Sequence, residues 1–387
     1  DRLQLIKDYL AKELGRILGI APEELLPAQP LSVVGVDSLM AMELKSNLES
    51  KLQIEVPMSS LMDGPSIDSL AGHLMPMFES VTSDQTSDLS ADSREKHSTT
   101  ARAGRGASLL PLQTHPLHPA IFCIHPVGGD LRCYQQMAKH IGQHRHVMAI
   151  RPQGVDRGSK PHDSIQELAA DYVTLVREYQ AEGPYLLMGW STGGIFAYEM
   201  AHQLIGAGQT VDLTFIDTPT SAILEHVDLH DDARFLYDLV NFSNWFSGAA
   251  IRIEYAELKE MRSTEALDRI LYETKQHGIL PASATREDLE RRIDMCRHHL
   301  RAAMNYQPQS INQPVLMYRP QQSAVLSLAS GRQLTDDLGW APILGDRLQI
   351  HRVSGDHFSM LTGTNAQQLA SAIIEKLSSY TISTKTN

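Results

Sequence analysis

The sequence predicts an all-α four-helix domain followed by an α/β domain with a mostly parallel sheet and an inserted helical lid. Three observations carry this. Apolar residues recur at helical spacing through the first 78 residues. From residue 120 onward, short apolar runs of strand length alternate with helical text. Between the runs ending at Ile216 and starting at Pro314 the text is mainly helical and far longer than one crossover needs, which reads as an insertion at about 221–310.

In the first segment, Leu3, Ile6, Leu10, Leu14 and Ile17 align one apolar stripe on a helix. A loop with Pro22, Pro27 and Pro30 leads to a second helix from about Ser38 to Lys51, with Leu39, Met42 and Leu48 turned inward. Pro57 and Gly64-Pro65 then punctuate a short turn and a last helix with Ile67, Leu70, Ala71 and Leu74 on its inner face. The first domain is placed at 1–78. Residues 79–116 are rich in Ser, Thr, Asp and Gly and nearly free of aromatics, the composition of a flexible linker. The second domain is placed at 117–381. Its expected strands are 120–124, 146–150, 184–188, 211–216, 314–318 and 348–353. Within the insertion, Thr285 and Asp288 form a capping-box pattern before a helix whose face carries Leu289, Ile293, Cys296, Leu300 and Met304.

Composition excludes several classes. The balance of 34 Lys and Arg against 46 Asp and Glu, a net charge of -12, argues against a nucleic-acid binder. Cys123, Cys133 and Cys296 lie far apart without a CxxC pair, so neither a zinc site nor a disulfide scaffold is expected, and no metal. No stretch approaches ~18 consecutive apolar residues, and the N-terminal segment is an amphipathic helix rather than a signal peptide. A cytoplasmic protein with no membrane span is expected. A start at Asp1 rather than Met fits a segment of something longer.

The chemistry gathers in four strings. Gly189-Trp190-Ser191-Thr192-Gly193 lies between an expected strand and an expected helix, the setting in which GxSxG presents a nucleophilic serine on a tight turn. A serine needs a histidine to take its proton and a carboxylate to orient that histidine; in α/β-hydrolases the chain order is Ser, acid, His. His357, in Ser354-Gly355-Asp356-His357-Phe358 after the last strand, is the candidate base. Asp217, directly after VDLTFI, is the candidate acid. The alternative strand end offers Arg319, Pro320, Gln321 and Gln322, with no carboxylate until Asp336. Asp356 reads as a loop hydrogen-bonding residue. Oxyanion donors are expected at the N–H groups of Thr192 and of Val127, in His125-Pro126-Val127-Gly128-Gly129. In the first domain, Gly35-Val36-Asp37-Ser38-Leu39 places a serine in the first turn of a helix, beside backbone amides that suit a phosphate.

On these motifs, residues 1–78 resemble an acyl carrier protein, and 117 to about 380 resemble the type I α/β-hydrolase thioesterases that terminate modular polyketide or hybrid polyketide/peptide synthases. The resemblance implies 4'-phosphopantetheine attached to Ser38. It also implies a Ser191, Asp217, His357 triad that takes the acyl chain and releases it to water or to an internal nucleophile. Upstream synthase modules, a phosphopantetheinyl transferase and an acyl or peptidyl thioester are the implied partners. Phe235, Leu236, Leu239, Phe242, Trp245 and Phe246 either line the acyl channel or only pack the lid. GVDSL is nearer to polyketide carriers, whereas Trp190 is more familiar in peptide-type enzymes. A free-standing esterase and a non-catalytic acyl-binding scaffold are the alternatives.

Overall fold

The computed structural model describes residues 2–18, scattered positions from 22 to 66, 67–83, and 107–383 apart from 116–118, 156–158, 225–227, 248, 281–283 and 323–333. The chain divides into two compact units, one of 1–101 with 268–286 and the other of 102–267 with 287–387.

In the helical unit, α1 (Arg2–Leu18) and α2 (Ile67–Ser83) pack on one another. Leu10 and Leu14 of α1, Leu44 and Leu48, and Leu70 and Leu74 of α2 are fully buried in one cluster. The apolar stripes read from the sequence are therefore the inner faces. Ser66 caps α2 by accepting the Ser69 N–H at 3.2 Å, while Ser69 Oγ accepts the Ser66 N–H at 2.9 Å. Lys7 pairs with Asp68 at 2.8 Å across the two helices. Residues 40, 44, 45, 47 and 48 are helical, as the expected second helix requires. The rest of that helix, including Leu39 and Met42, lies outside the described residues, as does most of the expected linker.

The second unit is built on seven strands: β1 (Ser108–Gln113), β2 (Ile121–Ile124), β3 (Val147–Arg151), β4 (Tyr185–Trp190), β5 (Val211–Ile216), β6 (Val315–Pro320) and β7 (Leu348–Val353). Their order is β1-β3-β2-β4-β5-β6-β7, all parallel except β1. Six of these match the expected runs to within a residue or two. The seventh is a correction: Ser108–Gln113 lies inside the stretch read as linker and pairs antiparallel with β3 at the sheet edge. Pro111 hid it, because a proline argues against a central strand but is tolerated at an edge, here beside the shift in register between Pro111 and Gln113. β2 and β4 are buried along their whole length, as strands covered on both faces must be.

The helices α3 (Gln135–Ile141), α4 (Ile165–Tyr179) and α5 (Thr192–Gly206) make the crossovers. Right-handed connections that reverse direction between β3 and β4 put α3 on one face and α4 and α5 on the other. In keeping with this, α4 packs on α5, and α3 packs on the C-terminal helix, which is Gly363–Ser383. The chain moves away from β2 and β4 in opposite directions, so the carboxyl ends of these two strands form the switch point where such sheets gather ligands. Between β5 and β6 the chain makes α6 (Asp232–Ser247), α7 (Tyr255–Glu260), α8 (Ser263–Gln276) and α9 (Arg286–Asn305). With these named, the C-terminal helix is α10. The buried face of α9 is Leu289, Ile293, Met295, Cys296, His299, Ala302 and Ala303. Leu300 and Met304, expected on it, are half-buried at its margin because the face is centred one position over, on His299 and Ala303.

Candidate active site

The turn after β4 presents Ser191 at φ 54° and ψ −131°, a conformation that L-residues enter at a cost of about 1–3 kcal/mol. Glycines make the turn possible. A Cβ on Gly189 would collide with the Gly193 backbone, and one on Gly193 would run into the carbonyls of Ile124 and His125 at the end of β2. The Ser191 N–H donates to Ile216 O at 2.9 Å, tying the turn to the next strand. Asp217 follows β5 with φ 46°, its N–H donating to Tyr318 O at 2.9 Å. Ser191 and Asp217 are two of the three non-glycine residues at positive φ among those described. Backbone strain is thus concentrated on the two positions that the sequence marks for chemistry.

Asp217 and His357 meet. Nδ1 of His357 lies 2.6 Å from Asp217 Oδ2, and both residues are buried. The loop that delivers His357 is set by Asp356, whose Oδ1 accepts the Phe358 N–H at 3.0 Å, the Ser359 N–H at 2.7 Å and the Ser359 hydroxyl at 2.8 Å. Burial would raise the Asp356 carboxyl; these donors overcome it and hold the carboxyl below its ordinary range. Trp190 fixes the loop from below. Its indole N–H donates to His357 O at 3.0 Å, and its ring lies 4.8 Å from the imidazole, between centroids. Ser191 Oγ makes no hydrogen bond to His357 among the described residues; such contacts commonly tighten only with substrate. Burial first, and the Arg319 guanidinium second, push His357 below the ordinary histidine range and keep it neutral, the form a base requires.

Val127 and Thr192, the expected oxyanion donors, also come together, in an arrangement the sequence did not reveal. The Val127 N–H donates to Thr192 Oγ1 at 2.6 Å. Below this loop His125 is fully buried, with Nδ1 2.8 Å from Pro126 O and Nε2 2.5 Å from the Tyr172 hydroxyl. Its ring lies 5.0 Å from that of His299 on α9. Tyr134 braces the switch point: its hydroxyl donates to Ile124 O at 2.7 Å and accepts the Trp190 N–H at 2.7 Å. Ser38 lies outside the described residues.

Of the five candidate lid side chains that the structure describes, two reach the site. Phe242 stacks on Trp190 at 6.0 Å, and Trp245 lies 4.4 Å from Phe358, between ring centroids. Phe235 sits under the Arg297 guanidinium. Leu236 lines a cavity of about 490 Å³ between α6, α7 and α9, whose walls include neither Ser191 nor His357. Leu239 is half-buried, and the Phe246 side chain lies outside the described residues. The residue that sequence reading passed over is Arg319, mentioned only as a non-carboxylate. It is 1% exposed, and its Nη1 donates to Asp217 Oδ1. No signal in the string YRP distinguishes it from a surface arginine.

The buried histidines give a stability prediction. Burial pushes His125 down to about 4 and His299 well below its ordinary value. The unfolded chain takes up protons below about pH 6.5 where these two sites do not. Stability is therefore complete above that pH and is lost as pH falls, by up to about 1.4 kcal/mol per pH unit for each histidine. Urea unfolding at pH 7 and pH 5 is expected to show a lower midpoint at pH 5, and the His299→Phe variant a smaller drop. An unchanged midpoint in the parent contradicts this.

A sheet of this order, with a strained serine above the switch point and an Asp-His pair brought together from beyond the ends of β5 and β7, defines the α/β-hydrolase class. Residues 119–377 match the thioesterase domain family, and the chain belongs to it. Residues 8–74 match the phosphopantetheine attachment site family. Among curated proteins, the chain is 29% identical over 208 residues to a dimodular nonribosomal peptide synthase of Bacillus subtilis (strain 168), covering 54% of the chain and 8% of that protein. It is 25% identical over 383 residues to the non-reducing polyketide synthase ntnG of Nectria sp, covering 97% and 18%. The chain thus spans less than a fifth of the length of either relative. Among solved structures, holo-AB3403, a four-domain nonribosomal peptide synthetase bound to AMP and glycine, matches with a TM-score of 0.67 and 23% identity, over 96% of this chain and 26% of that one. The Vlm2 thioesterase domain matches with a TM-score of 0.50 and 19% identity, over 70% and 97%. No helix among the described residues is long and apolar enough to cross a membrane.

Proposed function

We propose that the chain is the releasing end of a polyketide or hybrid polyketide/peptide synthase. The 2.6 Å contact between His357 Nδ1 and Asp217 Oδ2, beside the Ser191 turn, is the observation that carries this reading. Phosphopantetheine on Ser38 supplies a long arm ending in a thiol that holds the acyl group as a thioester. Met40, Leu44, Lys45, Asn47 and Leu48 are helical, with Leu44 and Leu48 inward, which fits the helix expected to follow the Gly35-Val36-Asp37-Ser38-Leu39 motif. Ser191 Oγ attacks the acyl carbonyl as His357 Nε2 takes its proton; the carbon–sulfur bond breaks and His357 returns the proton to the departing sulfur. The acyl group is then an ester on Ser191. His357 next takes a proton from water or from a hydroxyl or amine of the acyl chain, which attacks the ester carbonyl; the bond from that carbon to Ser191 Oγ breaks, His357 returns the proton to Oγ, and an acid or a ring is freed. The Thr192 N–H stands at the N-terminus of α5, where the helix dipole favours the oxyanion. The Val127 N–H joins it when the Thr192 hydroxyl turns away.

Upstream modules and a phosphopantetheinyl transferase are the partners of this reading. Ser38→Ala is expected to abolish mass gain on incubation with a phosphopantetheinyl transferase and coenzyme A, while leaving hydrolysis of a small ester by Ser191 within about twofold. A phosphopantetheine adduct on the Ser38→Ala variant sinks the carrier assignment.

A further inference from the structure

We propose that Arg319 is a positioning residue of the release reaction, a clamp that fixes one oxygen of Asp217 and so aims the other at His357. The inference rests on Asp217 and His357 being the acid and base of the proposed function. The register of β5 and β6 sets Ile216 beside Tyr318, so Asp217 and Arg319 are the next residues along two neighbouring strands. Nη1 of Arg319 donates to Asp217 Oδ1, while Asp217 Oδ2 faces His357 Nδ1 at 2.6 Å. The guanidinium is itself held: its Nε donates to Asp336 O at 3.0 Å, and Arg352 pairs with the Asp336 carboxylate. Both side chains of the Asp217–Arg319 pair are almost wholly buried, at 3% and 2% exposure. A charge taken that far from water is unfavourable unless paired, and the partner here is the carboxylate on which the base depends.

The clamp does three things. It gives the buried Asp217 carboxylate a counter-charge where water does not reach it. With Oδ1 anchored, rotation of the carboxylate is arrested and Oδ2 keeps one direction, which holds the His357 proton on Nδ1 and leaves Nε2 free for Ser191. Its positive charge also opposes protonation of His357, so the imidazolium formed during acyl transfer gives its proton up readily to the departing sulfur. The charged groups around His357 are Asp217 from β5, Arg319 from β6 and Asp356 from its own loop. Those around Arg319 are Asp217, Asp336, Asp337 and Arg352. Removing the Arg319 charge removes one of the two influences that hold His357 low, burial being the other, and so raises the pKa of His357. This carries the acid limb of the activity profile to higher pH.

The test is the rate at which an alkyl fluorophosphonate labels Ser191 in the full chain between pH 3 and 9, with folding followed by circular dichroism at each pH. Arg319→Gln is expected to slow labelling by about 10²-fold and to move the acid limb up by about one pH unit or more. Arg319→Lys, which keeps the charge and loses the fork, is expected to slow labelling by about tenfold with the acid limb in place. A folded Lys variant that labels at the parent rate overturns the clamp, and it decides the matter even where the Gln variant does not fold. Equal slowing of both variants with an unmoved acid limb overturns it too. Asp217→Asn separates the two levels of the argument. If it labels at the parent rate, the acid assignment falls and the clamp with it; if it is slow while both Arg319 variants match the parent, only the clamp falls.

Discussion

Replacing Ser191 by alanine is expected to lower thioester hydrolysis by at least about 10⁴-fold, leaving only what the oxyanion donors and substrate binding achieve without a nucleophile. The variant should fold normally. Ser191 is 8% exposed, and its side chain makes no hydrogen bond among the described residues, so the hydroxyl contributes little to stability. Alanine at φ 54° meets the same backbone strain as serine. Hydrolysis of an acyl-N-acetylcysteamine thioester, measured beside the thermal midpoint, checks both halves. A variant with the parent's rate removes Ser191 from the chemistry.

Asp217→Asn is expected to cost a similar amount, about 10³–10⁴-fold in kcat, with KM nearly unchanged. The amide keeps the shape of the carboxylate, yet its nitrogen cannot accept the His357 Nδ1 proton and cannot balance the imidazolium that forms when Ser191 is deprotonated. The loss is compounded by Arg319. Without the carboxylate, the buried guanidinium loses its ion pair with Asp217. A lower unfolding midpoint is expected as well. Activity within tenfold of the parent in a folded variant shifts the acid to another group.

Much of this was legible because the decisive residues sit in short strings with a mechanical reason for their spacing. GWSTGG needs glycines where β4, β2 and α5 converge, and the collisions that a Cβ on Gly189 or Gly193 would cause bear that out. Asp217 and His357 were legible from their places after strands, since the carboxyl ends of parallel strands share one edge of the sheet. Other features depend on approaches between distant segments. Arg319 contacts Asp217 across 102 positions of sequence, and Tyr134 joins the ends of β2 and β4 without any local motif. β1 was hidden by its proline and by the polar stretch before it. The turn of the Thr192 hydroxyl onto the Val127 N–H is a rotamer choice, to which residue spacing is blind. The lid residues divided for the same reason: Phe242 and Trp245 share one face of α6 toward Trp190 and Phe358, and periodicity alone names a face without naming what it meets.

The central claim is that an acyl group carried on Ser38 leaves through Ser191. The most direct measurement is peptide mass spectrometry of the full chain after a phosphopantetheinyl transferase has loaded it from an acyl-coenzyme A, followed over time in the parent and in Ser191→Ala. The account predicts that the acyl group appears on the Ser38 peptide in both, disappears from the parent as free acid or ring accumulates, and persists in the variant. An acyl group lost equally fast from both proteins, or never found on the Ser38 peptide, contradicts it.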